Sequence, residues 1–187
     1  MATVIPSRWR ACAAVGVLLA ASACSASGVP SASEPVRPAA CPTGAGTPIE
    51  GIHSSTLPCL ADASVDVHLS AVHGRPEVIN IWASWCGPCR QEMPALQRVH
   101  EKIGSRVAFV GVDVRDHRSK AFAFLRQAGV HYPQVFDVTG SFAAELRMYT
   151  VPDTLIVDRS GHIVFRHAGP LTADQLTRAL AAHLPPR

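Results

Sequence analysis

Between Glu77 and Ile103 the periodicity of the chain changes once, and a Cys-Gly-Pro-Cys tetrad sits at the change. Before it, Glu77-Val78-Ile79-Asn80-Ile81-Trp82 is a short apolar run, the pattern of a strand buried on both faces. After it, Met93, Leu96, Val99 and Ile103 recur every three or four residues, which predicts a helix closed by Gly104. A strand that hands the chain straight to a helix delivers Cys86 to the helix mouth. There the unpaired backbone N–H groups and the helix dipole stabilise a thiolate, and cysteines so placed have pKa values lowered from about 8.5 towards about 3.5–7.5. The thiolate is the nucleophile, so Cys86 reads as the attacking sulfur. Cys89, one turn deeper, reads as the resolving sulfur that breaks a mixed disulfide. Gly87 lets a substrate backbone approach, and Pro88 sits early in the helix, where its missing N–H costs nothing.

The rest of the domain alternates strands and helices. Val107 to Val112 predicts a second buried strand, Lys120 to Ala128 a helix capped by Ser119, and His131 to Phe136 a short strand. Ser141 to Met148 predicts a short helix. Thr154 to Val157 and Ile163 to His167 flank the turn signal Asp158-Arg159-Ser160-Gly161, and Thr172 caps a last helix. This order gives an α/β fold with a central mixed sheet.

The N-terminus reads as an address. Arg8 and Arg10 precede an apolar run from Ala11 to Ala23, the pattern of a secretory signal and too short for a membrane span. Ala21-Ser22-Ala23-Cys24 resembles the lipobox of bacterial lipoproteins, although Leu is usual where Ala21 stands. The resemblance implies a lipidated Cys24 after removal of residues 1–23. Simple secretion and an uncleaved anchor are the alternatives, and all three place the domain outside the cytoplasm. Ser25 to Ala40, rich in Ser, Ala and Pro, predicts a flexible tether of roughly 20 Å, so residues 24–40 link the membrane to a domain over 41–187. Without Arg8 and Arg10 the chain has 15 basic residues against 14 acidic ones. That balance, with no basic run longer than a pair, excludes nucleic acid as an expected partner.

Six cysteines stand at 12, 24, 41, 59, 86 and 89. Cys12 falls in the apolar run of the signal. Cys86 and Cys89 are close enough to bridge, which leaves Cys41 with Cys59 as a structural disulfide in a 41–64 extension. A second redox pair, or one zinc held by all four thiolates, are the other readings. The 41/59 spacing is unlike that of zinc ribbons.

The stretch from Asn80 to Pro94 resembles the active site of thioredoxin-fold proteins, specifically the extracytoplasmic TlpA/ResA/CcmG-like branch, and the resemblance covers about Val65 to Leu184. It implies a thioredoxin fold in which Lys120 to Phe136 is the extra α-β element of the branch and Pro94 kinks the first helix. It also implies that Pro152 is cis and that the backbone of Val151 pairs with substrate beside the dithiol. Cytosolic thioredoxins carry a buried Asp where this chain has Asn80, and Asn cannot accept the proton that Cys89 must lose. The resemblance gives thiol pKa control to Glu92, three residues beyond Cys89, where a solvated helix glutamate is the plainer reading. Trp85 is expected to shield the dithiol and Trp82 to be core.

The expected function is thiol–disulfide exchange with exported proteins, needing no cofactor beyond the Cys86–Cys89 disulfide and no metal. The resemblance favours a reductase, for instance of the haem-binding cysteines of apocytochromes, re-reduced by a membrane electron donor. An oxidase is the alternative direction. A binding module whose disulfide never turns over and a copper metallochaperone are rivals of other classes. The peroxiredoxin pattern Pro-x-x-x-Thr-x-x-Cys is absent, and no Gly-rich phosphate loop occurs.

Overall fold

The computed structural model describes residues 37–53 and 55–184. The signal segment, Cys24 and the tether up to residue 36 lie outside the described residues. Five strands form one mixed sheet: β5 (Glu77–Trp82), β6 (Ala108–Val114), β7 (Gln134–Asp137), β8 (Asp153–Val157) and β9 (Ile163–Ala168), in the order β7-β6-β5-β8-β9. β5, β6 and β7 run parallel, joined through α1 (Gly87–Ile103) and α2 (Arg118–Ala128), whereas β8 runs antiparallel to both of its neighbours, β5 and β9. Two short pairs precede them: β1 (Thr47–Pro48) with β4 (Ala71–Val72), and β2 (Thr56–Pro58) with β3 (Asp66–His68). α3 (Ser141–Glu145) lies between β7 and β8, and α4 (Ala173–His183) ends the fold.

Every residue of β5 is buried, the polar Glu77 and Asn80 included. Alternation along the strand splits the core in two. Val78 and Trp82 pack with Met93, Leu96, Phe124, Leu125, Leu176 and Leu180, on the face covered by α1, α2 and α4. Ile79 and Ile81 pack with Val110, Val112, Phe142, Ile49, Leu57 and Val72 on the other. That second face is closed by α3 and by the N-terminal segment. The extension expected over 41–64 therefore continues through β3 and β4 and is part of the core. Its strands are two or three residues long, too short for a periodicity of two to register.

Several element ends differ from the sequence reading for identifiable reasons. β7 starts at Gln134 and not at His131, because Pro133 has no N–H to donate. α2 begins at Arg118, with His117 and not Ser119 as its N-cap residue; the carboxylate of Asp116 accepts the His117 backbone N–H at 2.6 Å and fixes the entry. α3 stops at Glu145, short of Met148, as Arg147 turns left-handed at φ 53°. The last helix has the expected cap, a reciprocal box between Thr172 and Gln175.

Cys41 and Cys59 are disulfide-bonded across 18 residues. Cys59 bridges to Val135, and the Leu60 N–H donates to the Gln134 carbonyl at 2.7 Å. The disulfide thus fastens the N-terminal segment along β7, which would otherwise be an open sheet edge. Closing a loop of that length is worth about 3 kcal/mol. A Cys41→Ser/Cys59→Ser chain is expected to lose about that much in chemical denaturation. Its Cys86–Cys89 chemistry is expected to be unchanged in a thiol-exchange assay.

Candidate active site

β5 ends at Trp82, and Ala83-Ser84-Trp85 carries the chain to the start of α1. Cys86 is the N-cap residue, in an extended conformation (φ −82°, ψ 110°). Its Sγ accepts the backbone N–H of Cys89 at 3.1 Å, the bond a capping Ser or Asp oxygen would make. No acidic side chain stands in the first turn of α1, so the positive end of the helix is left to the sulfur. Cys86 and Cys89 form a disulfide with Cα atoms 5.3 Å apart. Both are buried, Cys86 at 4% exposure and Cys89 at 0%. The sulfur nearer the surface is the N-cap one, so an incoming thiolate or disulfide meets Cys86 first.

The elements around the dithiol come from distant parts of the chain. The Val151–Pro152 peptide is cis, and Cys86 Sγ lies 3.6 Å from the Val151 carbonyl oxygen. Pro88 occupies the start of α1 and Pro94 its interior. No atom lies within 4 Å of where a Cβ on Gly87 would stand, so the approach over it is open. Beside Cys86 runs a cavity of roughly 290 Å³ whose walls include Trp85, Val114, Arg115, Met148, Tyr149 and Val151. Trp85 is 61% exposed and Tyr149 82%, the most open large apolar side chains among the described residues. Trp85 donates its indole N–H to the Arg115 carbonyl at 3.2 Å, which holds it as a wall of the cavity. Trp82 is core, its indole N–H bonded to Gln134 Oε1 at 2.8 Å.

Glu92 is 2% exposed, far from the solvated helix glutamate. It stands one turn beyond Cys89, a spacing that makes the two neighbours along α1. Asn80 pairs with Thr154 across β5 and β8 and donates its amide to Thr154 Oγ1 at 3.1 Å. Thr154 in turn donates to Glu92 Oε1 at 3.3 Å. Burial pushes the Glu92 carboxyl up to about 7; the Leu171 backbone and the Thr154 hydroxyl offset part of this, and the Asp153 charge adds to it. A carboxyl that titrates near neutrality next to a dithiol can take up or give back a thiol proton. The position vacated by the thioredoxin Asp thus belongs to Asn80, which orients Thr154, and the acid stands on the helix.

The sequence reading missed a second acidic feature. Asp113, opposite Trp82 in the β5–β6 register, is 0% exposed, and Asp116 lies just beyond the end of β6. Asp116 accepts the Ser84 N–H at 2.5 Å and so fixes the loop that carries Trp85 and Cys86. Burial raises Asp116, but hydrogen bonds from Ser84 and His117 outweigh it and hold it below the ordinary carboxylate range. Asp113 goes the other way, pushed up to about 9 by burial and then by the charge of Asp116. An acidic residue inside the apolar run Phe109 to Val114 was the available signal.

The consequence for stability has a definite sign. Asp113 has an ordinary value of 3.8 when unfolded and about 9 when folded. Its contribution is therefore complete below pH 4 and is lost as the pH rises towards 9. Asp113→Asn keeps the shape of the side chain and removes the titration. The variant is expected to be more stable than wild type at pH 8 and nearly equal at pH 4, as measured by urea unfolding at the two pH values.

A β5-α1-β6 crossover with a Cys-x-x-Cys at the helix mouth, a cis-proline facing it and an antiparallel β8–β9 hairpin define a thioredoxin-like fold. The AhpC/TSA family profile matches residues 53–166, and the chain belongs to that family. It is 38% identical over 104 residues to the thiol:disulfide interchange protein DsbE of Tatumella citrea, a match covering 55% of each chain. The chain thus spans about half the length of this curated relative. Among solved structures it is similar to dsbF of MTB in its mixed oxidised and reduced forms, with a TM-score of 0.65 and 27% identity over 72% of this chain and 98% of the other. It is also similar to a secreted thiol-disulfide isomerase of Corynebacterium glutamicum, with a TM-score of 0.63 and 26% identity over 71% and 83%.

Proposed function

We propose that this chain is an extracytoplasmic thiol–disulfide oxidoreductase, held at the membrane by a lipidated Cys24 and a tether to residue 40, that reduces disulfides of exported proteins. The observation that carries the reading is the Cys86 sulfur at the helix N-terminus, 3.6 Å from the Val151 carbonyl and open over Gly87. In the reduced protein the Cys86 thiolate attacks a client disulfide. One client sulfur leaves as a thiol and the other stays bound to Cys86. Cys89, deprotonated towards Glu92, then attacks Cys86 Sγ and expels the second client thiol, leaving the Cys86–Cys89 disulfide. Two electrons pass from the dithiol to the client, and a thiol donor at the membrane returns them. A client strand lying in the Trp85–Tyr149 cavity pairs with the Val151 backbone, and the paired cysteines of apocytochromes are clients of this kind. The names of the relatives support thiol–disulfide interchange, and the absence of the peroxiredoxin cysteine pattern separates this chain from peroxide chemistry within its family.

The direction of transfer is tested by the reduction potential of the Cys86–Cys89 couple, measured by equilibration with glutathione. A value of about −270 mV is expected for a reductase. A value of about −120 mV would reverse the direction and make the protein a disulfide-forming oxidase.

A further inference from the structure

The segment that faces the dithiol, Leu146 to Asp153, is fastened at both ends by one side chain. Arg166 of β9 lies opposite Leu155 of β8, which sets it diagonal to Asp153 on the α3 side of the sheet. Its Nε and Nη2 donate to Asp153 Oδ2 at 3.2 and 2.8 Å. Its Nη1 donates to the Leu146 carbonyl at 2.9 Å, and Nη2 reaches the Arg147 carbonyl at 3.4 Å. Asp153 is 1% exposed and directly follows Pro152. Leu146 and Arg147 are the carbonyls left over where α3 stops, and Arg147 is held in the left-handed region at φ 53°. That conformation costs a non-glycine residue on the order of 1 kcal/mol and persists only when neighbours impose it. Between the two fastenings stand Met148, Tyr149 and Val151, one wall of the cavity beside Cys86 and the backbone facing its sulfur.

We infer that Arg166 is a positioning residue for client binding: its guanidinium clasps Asp153 to the carbonyls of Leu146 and Arg147, and so sets where the Met148–Val151 wall stands against Cys86. The inference rests on the proposed exchange reaction and assigns a determinant of its protein specificity. Only a planar fork of donors can hold a carboxylate and two carbonyls at once. A lysine keeps the charge beside Asp153 but not the fork. The clasp touches neither sulfur, so it acts on clients that use the wall and leaves small disulfides untouched.

The test compares wild type, Arg166→Met and Arg166→Lys in the full chain, with two probes and one structural readout. With insulin as the protein disulfide, Arg166→Met is expected to raise KM about tenfold with kcat nearly unchanged, and Arg166→Lys to raise it less. With dithiobis(nitrobenzoate), which needs no wall, all three reduced proteins are expected to react at one rate. Amide hydrogen exchange at Tyr149 and Val151 is expected to quicken in Arg166→Met while β5 and β6 keep their protection. Equal insulin KM values across the three proteins would overturn the inference, as would equal losses with both disulfides. If Arg166→Met fails to fold, Arg166→Lys decides by the same criteria. If wild type itself does not reduce insulin, the exchange reading falls separately, and unchanged amide exchange at Tyr149 and Val151 would then refute the clasp.

Discussion

Cys86→Ser is expected to lose insulin reduction by at least about 10³-fold, because it removes the only nucleophile the site presents to a client. Serine keeps the cap: its Oγ can accept the Cys89 N–H that the sulfur accepts at 3.1 Å. The fold is therefore expected to survive, and the loss to be chemical. Cys89→Ser behaves differently. Cys89 is fully buried and Cys86 is nearer the surface, so this variant still attacks but cannot resolve, and it accumulates the mixed disulfide. The contrast between a silent variant and a trapped one separates turnover from a static binding role for the Pro152 groove. A binding module would tolerate both replacements equally.

Glu92→Gln has the second largest expected effect, confined to the resolving step. With its carboxyl pushed up to about 7 by burial, Glu92 is protonated at pH 6 and ionised at pH 8. Only the ionised form can take the proton that Cys89 must lose. Resolution of the mixed disulfide is expected to quicken as the pH rises through 7 in wild type. In Glu92→Gln it is expected to be slower by about 10²-fold at pH 8 and to lose that inflection. Formation of the mixed disulfide, followed in the Cys89→Ser background, is expected to be the same with Glu or Gln at 92. The change also bears on stability. A carboxyl raised from 4.5 to about 7 contributes fully below pH 4.5 and loses stability as the pH climbs to 7. Glu92→Gln is therefore expected to unfold later than wild type at pH 8. Slower chemistry in a more stable protein would be the signature of an acid kept for function.

The part of this molecule that could be read from sequence is the part written in local chemistry. Cys86, Cys89 and the strand before them lie within thirteen residues, and a change of periodicity fixes their context. The pairing of Cys41 with Cys59 followed once the vicinal pair had been set aside. Pro152 was reached through family resemblance, since nothing local announces a cis peptide. Harder features were those made by the sheet register. Thr154 meets Glu92 only because β8 lies beside β5, and Arg166 reaches Asp153 only because β9 lies beside β8. The N-terminal segment showed the same limit, as its pieces are strands by virtue of what they cover and not by their own pattern.

The resemblance placed an acid at position 92, and burial gives that placement its meaning: an exposed glutamate there would hold an ordinary carboxyl and have no grip on the thiol proton. Asp113 and Asp116 show burial raising both members of a pair, with hydrogen bonds reversing the outcome for one of them. One carboxyl keeps its proton, and the other stays charged and holds the Ser84 amide. The loop bearing Trp85 and Cys86 is thereby fixed by charge on one side and by the helix cap on the other.

The central claim is that client sulfur bonds to Cys86 and to no other residue of the domain. The direct measurement incubates the reduced Cys89→Ser chain with insulin, quenches with acid, and maps the adduct by peptide mass spectrometry under non-reducing conditions. A single insulin adduct on the peptide carrying Cys86, with Cys41 still joined to Cys59, is the expected result. An adduct on Cys41 or Cys59, or none at all while wild type turns over, would contradict it.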